Sequence, residues 1–324
     1  MSERIIASCI VLCYKDFDNI YKTIDSILKQ NYEYVEIIIS DDGSTNFPET
    51  EIRNYIRDKR QSNICNILII HHDENIGTVK NFNCAIEQAK GKYIIPVSCN
   101  DELNENDALA KIIDRFKKTS ANLLICRRQL IKKGGKEQGL LPTDYDIKQI
   151  ESLQTSESQY FAFASQLYYD MASGSCTYYD RDFLMKRGLF DTSYRLWEDG
   201  PLYLQYTREG NKITTAYDII SCKYLLGGVS TGNVVNSQLR NDYFIMIKKE
   251  VIPYINRFKW LDRRKVKYIS VYSLNREIWS KTIKIIYTVL YLDAYLYRRV
   301  MLNKRYKTNL NLFKDNLPVN QKVD

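Results

Sequence analysis

Histidine is scarce in this 324-residue chain, which has only His71 and His72. Two adjacent histidines are poor material for a histidine-rich metal centre or a Ser-His-Asp relay, so any catalysis has to rest on carboxylates. Long apolar runs are missing too. None reaches the roughly 20 residues that a membrane-crossing helix needs. The opening Met1-Ser2-Glu3-Arg4 lacks the charged-then-apolar layout of a secretory signal, so a cytoplasmic protein is expected. The eight cysteines form no Cys-x-x-Cys pair, and several sit inside apolar runs. They read as reduced core thiols rather than a disulfide frame or a zinc site. No Gly-x-Gly-x-x-Gly opens a helix and no Gly-x-x-x-x-Gly-Lys occurs, which disfavours dinucleotide and P-loop sites of the familiar kinds.

What is present is a sizeable apolar fraction, 44%, and an uneven charge. Between Arg240 and Lys307 lie 17 Lys/Arg and 5 Asp/Glu, so this stretch is strongly basic and the rest of the chain mildly acidic. Such asymmetry suits a partner with negative charge, although a solvated helical surface has the same composition. Ile5–Cys13 reads as a strand buried on both faces, as in a parallel sheet. Val35–Ile39, Ile67–Ile70 and Tyr93–Val97 read as further strands. Between them the spacing predicts helices, the first carrying Ile20, Ile24, Ile27 and Leu28 on one face with Asp16 or Asp18 as N-cap, the second over roughly Glu49–Arg60. This alternation argues for an α/β fold with a mostly parallel sheet flanked by helices. Ligands in such sheets bind at the carboxyl ends of strands, where Tyr14, Asp41, Asp42, Asn100 and Asp101 stand. Residues 134–170 are more polar and read as an irregular, mobile segment. Beyond Asn241 the chain reads as mainly helical.

Several of these segments, in order, resemble the family 2 glycosyltransferases of the GT-A fold. The resemblance spans about residues 5–230. It is carried by Ile10-Val11-Leu12-Cys13-Tyr14, Ser40-Asp41-Asp42-Gly43-Ser44-Thr45, Asn75-x-Gly77 with Asn83, Ala89-Lys90-Gly91-Lys92-Tyr93-Ile94, Asn100-Asp101, Gly188-x-Phe190-Asp191 and Glu198-Asp199. Each motif alone is weak; the Asp-Asp-Gly-Ser turn, the Ala-x-Gly-x-Tyr-Ile lead-in and the Glu-Asp pair together are specific. The resemblance implies a GT-A domain over 1–235, with a nucleotide-binding half at 1–103 and an acceptor half at 104–235, followed by a basic, mainly helical region at 236–324.

Glycosyl transfer breaks the bond between an anomeric carbon and a diphosphate, and a divalent cation offsets the charge that develops there. The resemblance puts Mn²⁺ or Mg²⁺ on the acidic motif after the fourth strand. Relatives carry two or more acids there, while this chain keeps only Asp101, beside Asn100. Those two residues would also serve as caps for a helix over Asn106–Lys117. The resemblance assigns Asp42 to the nucleotide base, with Asp41 shaping the turn and Tyr14 against base or ribose. Lys80 follows Asn75-Ile76-Gly77 and would neutralise a phosphate, or simply be solvated. Relatives often place an Arg beside Asn83, and here Phe82 stands there. Asp199 matches the general base that takes the proton from the acceptor hydroxyl, with Glu198 its partner and Trp197 an apolar wall. The two acids would also suit the start of the helix that follows. Gly174-Ser175 resembles a loop near donor sugar and acceptor, and Tyr224–Ser230 one that closes over the diphosphate.

The implied activity is inverting transfer of a sugar from a nucleoside-diphosphate sugar, by family habit UDP, to a hydroxyl of a glycan or lipid-linked acceptor in bacterial surface polysaccharide synthesis. The alternative is an inactive GT-A domain that serves as a binding or scaffold subunit, which the thinned acid motif favours. A nucleotidyltransferase is disfavoured because Tyr14-Lys15-Asp16-Phe17 is no Gly-rich basic loop. In the basic region Trp279, Ile283, Ile286, Leu290 and Tyr297 would share one helical face. Basic helices with such a face lie on anionic membranes, here at the inner face; packing on the catalytic domain or a homodimer contact is the alternative. No nucleic-acid-reading motif accompanies the charge, so no nucleic-acid partner is expected.

Overall fold

A computed structural model describes residues 5–132, 134–166, 171–227 and 236–313, with side chains to residue 304 in the last segment. The chain opens with β1 (Ala7–Cys13), α1 (Ile20–Leu28), β2 (Val35–Asp41), α2 (Glu49–Lys59), β3 (Ile64–His71), α3 (Thr78–Gln88) and β4 (Tyr93–Ser98). It continues with β5 (Glu102–Leu103), α4 (Ala108–Thr119), β6 (Leu123–Ile131), β7 (Glu137–Leu141), α5 (Asp144–Glu151), α6 (Ser156–Ala164), β8 (Thr177–Asp180) and α7 (Arg181–Arg187). It ends with α8 (Asp199–Arg208), β9 (Thr214–Leu225), α9 (Ser237–Met246), α10 (Trp260–Asn275), α11 (Lys281–Leu290) and α12 (Leu292–Phe313).

Two compact units divide these elements. The first comprises Met1–Leu141, Ala172–Asp199 and Thr214–Val229, the second Pro142–Met171, Gly200–Ile213 and Ser230–Asp324. The first unit holds a single sheet in the order β3-β2-β1-β4-β8-β6-β9-β5, with β7 also on β6. β3, β2, β1 and β4 are mutually parallel, as their unbroken apolar runs predict; β8 joins β4 and β6 antiparallel, and β6 lies parallel to β9. Every residue of β2 is buried, including Glu36. Its carboxylate accepts from the Ser8 hydroxyl (2.5 Å), the N–H groups of Lys90 (2.5 Å) and Gly91 (3.1 Å), and the Asn66 amide (3.0 Å). A buried charge is tolerated when donors satisfy it in this way.

The parallel register sets the carboxyl ends of three strands side by side. Cys13 pairs with Asp41, and Leu12 with Ser98. The helices stand close to their expected limits, but α1 is entered through Asn19 without a side-chain cap, so neither Asp16 nor Asp18 caps it. The Asp16 carboxylate instead accepts from the Asn100 amide at 2.9 Å.

The second unit is helical. Residues 134–166, read from sequence as irregular, instead contain β7, α5 and α6. Capping boxes at Thr143/Asp146 and Thr155/Ser158 start both helices, and polar composition there reflects caps rather than disorder. Residues 167–170 of that segment lie outside the described residues. Glu250, nearly fully buried, pairs with Arg208 at 2.5 Å and accepts from Gln205 at 2.8 Å. Arg208 also lies 3.9 Å from the Tyr254 ring centroid. No described helix is long and apolar enough to cross a membrane.

Candidate active site

Five of the residues singled out by sequence stand on the rim formed by the ends of β1, β2 and β4. Tyr14 is exposed, with the Lys15 ammonium 4.8 Å from its ring centroid. A free aromatic face beside a cation is a good seat for a base or ribose. Asp41 is fully buried and accepts from the Ser44 N–H (2.7 Å), the Ser44 hydroxyl (2.6 Å) and His71 Nδ1 (2.9 Å). It therefore builds the turn. Asp42 accepts from the N–H groups of Ile76 (2.7 Å) and Gly77 (3.1 Å) and from the Asn75 amide (2.8 Å). Burial raises its pKa; the two N–H groups, then His72 and Arg195, act the other way. Two carboxylate oxygens offer about four acceptor positions, so a further donor still finds room. Gly43, at φ 74°, lies against the backbone of Glu74 and Asn75 so closely that a methyl there would come 2.3 Å from the Glu74 carbonyl carbon. Lys80 is exposed on the first turn of α3.

Asn100 donates to Asp16 and accepts from the Asn19 amide at 3.2 Å, so it ties the end of β4 to the start of α1. Asp101 is buried. Its Oδ1 accepts from the Leu225 N–H at 3.0 Å, where β9 ends, while its Oδ2 has no hydrogen-bond partner among the described residues. Burial pushes its carboxyl up to about 7, opposed by the Leu225 N–H, the Ser98 hydroxyl and the charge of Arg128. Neither residue caps α4, whose N-cap is Asp107.

Glu198 and Asp199 end the second of the first unit's three stretches of chain, and Asp199 is the first residue of α8. Both carboxylates lean on Gly174, in a single turn of 3-10 helix over Gly174–Cys176 that packs on β4, β6 and β9. A methyl on Gly174 would lie 2.8 Å from Glu198 Oε1 and 3.5 Å from Asp199 Oδ2. Burial first, and the neighbouring Asp199 charge second, push the Glu198 carboxyl up to about 8.

Arg128 of β6 links the two acidic places. Its guanidinium is buried, 3.9 Å from Cys176 Sγ and 5.4 Å from the Tyr224 ring centroid. Its charge acts on Asp101, and Cys176 feels both Arg128 and Asp199. Asp101, Arg128, Cys176 and Asp199 all belong to the first unit and act on one another in that order, through charge at the two ends and through contact between Arg128 and Cys176.

Sequence reading missed Arg128 and Arg195. Arg128 sits in an apolar strand beside Arg127, and no pattern distinguishes the two. Arg195 bonds the Asn75 carbonyl at 2.8 Å and also the Asn75 side chain, and it brings a cation to the Asp42 loop. Phe82, which stands where relatives often have an Arg, is core, stacked on Phe190. Gly174 was visible only as part of a loop. The loop over Tyr224–Ser230 is described only to residue 227, and Leu225 belongs to β9.

Among the described residues no three His, Cys, Asp or Glu side chains gather as a self-sufficient metal site. The buried, unpartnered Oδ2 of Asp101 does fit a hard cation that takes one carboxylate and draws its other oxygens from a diphosphate and water.

Residues 8–188 match the family model described as Glycosyl transferase family 2. An uncharacterized glycosyltransferase of Haemophilus influenzae is 24% identical, over 98% of this chain and 96% of its own. The Escherichia coli UDP-Glc:alpha-D-GlcNAc-diphosphoundecaprenol beta-1,3-glucosyltransferase WfaP is 38% identical over 96 residues, 30% of this chain and 36% of its own. Among solved structures, S. aureus TarS 1-349 in complex with UDP-GlcNAc has a TM-score of 0.59 at 15% identity, covering 84% of this chain and 73% of that one. The mannosyltransferase PcManGT from Pyrobaculum calidifontis, in complex with GDP-Man and Mn²⁺, has a TM-score of 0.56 at 14% identity, covering 97% and 89%. The fold shared with these structures is GT-A.

Proposed function

Since the chain belongs to glycosyl transferase family 2, we propose that it moves a sugar, with inversion, from a UDP-sugar to a hydroxyl of a glycan or lipid-linked acceptor in bacterial surface polysaccharide synthesis. The observation that carries this reading is the pair of buried Asp199 and half-buried Glu198 seated on Gly174, in the same unit as Asp101 and joined to it by the charge of Arg128, which contacts Cys176. A pair of carboxylates in contact resists double ionisation. Glu198 keeps a proton up to about pH 8, and the charge falls on Asp199. Asp199 then takes the proton of the acceptor hydroxyl as that oxygen attacks the anomeric carbon. Glu198, still protonated, donates a hydrogen bond that orients the acceptor.

Tyr14 stacks on the nucleotide, Asp42 accepts from the base, and Asp41 holds the turn that presents it. Lys80 and Arg195 offset phosphate charge on the donor side, and Asn100 fixes the strand end that carries Asp101. A bound Mn²⁺ or Mg²⁺ would stabilise the charge on the leaving diphosphate, with Asp101 as its protein ligand. On this reading residues 1–103 take the nucleotide and residues 104–235 the acceptor. UDP as donor is supported by the UDP-GlcNAc complex of TarS, and a lipid-linked acceptor by the diphosphoundecaprenol substrate in the name of WfaP. The eight free cysteines, six of them buried, suit a reducing cytoplasm.

Release of UDP from a panel of UDP-sugars, with Mn²⁺ and a polyprenyl-diphosphate glycan, tests the reading. The wild type is expected to turn over one donor. Asp199→Asn is expected to lose about 10²- to 10⁴-fold of that rate while still being stabilised by UDP. Equal rates in the two proteins would remove Asp199 from the reaction. A wild type that binds UDP and transfers nothing would favour the second reading, a GT-A domain that binds without transferring, to which the single acid Asp101 points.

A further inference from the structure

The last helices of the second unit are turned inside out. α11 carries no buried residue. It packs through Tyr287, whose ring lies 4.8 Å from Trp279 and 5.8 Å from Tyr268 of α10, and whose hydroxyl donates to the Lys267 carbonyl at 3.1 Å. The aliphatic side faces out. Ile285, Ile286, Val289 and Leu290 are each between 54% and 64% exposed. At 100° per residue these four share one side of the helix, opposite Lys284 and Tyr287. Leu292 and Leu296 continue the exposed apolar surface on α12, at 48% and 51%. Trp260, 65% exposed, stands beside the junction, because Arg264 touches its ring at 5.3 Å and donates to the Leu290 carbonyl at 2.7 Å. The sequence pattern had put Ile283, Ile286 and Leu290 on one face with Trp279 and Tyr297. The structure separates them, because the helix breaks at Trp279–Ser280 and at Tyr291 and the aromatics alone turn inward.

An aliphatic surface of this kind needs a cover, and its charge identifies the cover. From Lys281 to Lys304 the chain has five cations, Lys281, Lys284, Arg298, Arg299 and Lys304, and one acid, Asp293. Arg264 already pairs with that acid through two contacts of 2.7 and 2.9 Å. We propose that the exposed aliphatic face of α11 and the start of α12, flanked by the exposed cations Lys281 and Arg299, docks on an anionic lipid bilayer. A second copy meeting this face across a two-fold axis would bring cations against cations with no spare acid. A bilayer supplies both apolar depth for the isoleucines and phosphate charge for the cations. The surface does not depend on the transfer chemistry, so it is tested apart from it.

The test is co-sedimentation of the full chain with vesicles of phosphatidylglycerol and phosphatidylcholine in equal parts, and with pure phosphatidylcholine vesicles. The wild type is expected to bind the anionic vesicles at least about tenfold more strongly than the neutral ones, and to weaken with salt. The pair Ile285→Asn/Val289→Asn is expected to lose about tenfold of that binding. Lys281→Glu/Arg299→Glu is expected to lose a similar factor and to flatten the salt dependence. All four positions are exposed, so melting temperature and UDP binding should match the wild type in both variants. No preference for anionic vesicles, or unchanged binding in both variants, overturns the proposal. So does a wild-type dimer that ignores vesicles and becomes monomeric in Ile285→Asn/Val289→Asn.

Discussion

Gly174 leaves room for the Glu198 carboxylate, since a methyl there would stand 2.8 Å from Glu198 Oε1, while Asp199 Oδ2 at 3.5 Å would be in ordinary contact. Gly174→Ala is expected to displace Glu198 Oε1 rather than the backbone, since the end of a side chain yields first. The rate should fall about 10- to 100-fold through misplacement of the pair, with the melting temperature nearly unchanged; steady-state kinetics beside a thermal melt reads both. Glu198 gives a second check through pH. Its ordinary value is 4.5 and its value in the fold about 8, so the folded chain holds this proton more tightly than the unfolded one. Stability therefore falls as pH climbs from about 4.5 to about 8, and is unaffected by this group below that window. Glu198→Gln removes the effect. Its melting temperature relative to wild type should rise across the window, by about 2–4 °C for each kcal/mol regained. An equal difference at pH 5 and pH 8.5 would show that Glu198 ionises normally. The acids themselves were legible in sequence, since Asp-Asp-Gly-Ser and Glu-Asp are contiguous. Arg128 and Arg195 were not, because each acts on residues distant in sequence.

At the scale of elements, the parallel half of the sheet was readable because β1, β2 and β4 are almost wholly buried and so appear as apolar runs. The antiparallel half was less readable. β5 has two residues and β8 four, too few to show a period. Glu36 was read only as part of the strand Val35–Ile39, whereas it ties the start of β1, the start of β2 and the turn into β4 around one carboxylate. Gly91 must approach β1 closely for this. A methyl there would stand 2.5 Å from the Ser8 nitrogen and 2.6 Å from the Ala7 carbonyl carbon, both backbone atoms. Gly91→Ala is therefore expected to cost about 2–4 kcal/mol, more than Gly174→Ala, because here the strand itself must shift. Urea unfolding of the two variants compares them directly, and a Gly91→Ala protein as stable as wild type would contradict the close approach.

For the molecule as a whole, charge was the most legible large-scale feature and its meaning the least. Composition alone could not tell a solvated helical surface from a binding one. The difference lies in which side of α11 turns inward, and aromatic stacking between Tyr287, Tyr268 and Trp279 decides that against the aliphatic residues. The two-unit division was likewise hidden, because each unit is assembled from three separate stretches of chain. The first unit gathers every acid assigned to chemistry, from Asp42 to Asp199. That convergence is tested most directly by a crystal structure of the wild type grown with UDP and Mn²⁺, with the metal located by its anomalous signal. The uracil ring is expected against Tyr14, and the metal within coordinating distance of Asp101 Oδ2, with Asp199 across a gap wide enough for a sugar. A metal bound away from Asp101, or UDP held elsewhere than at the ends of β1, β2 and β4, would contradict the assignment of this site.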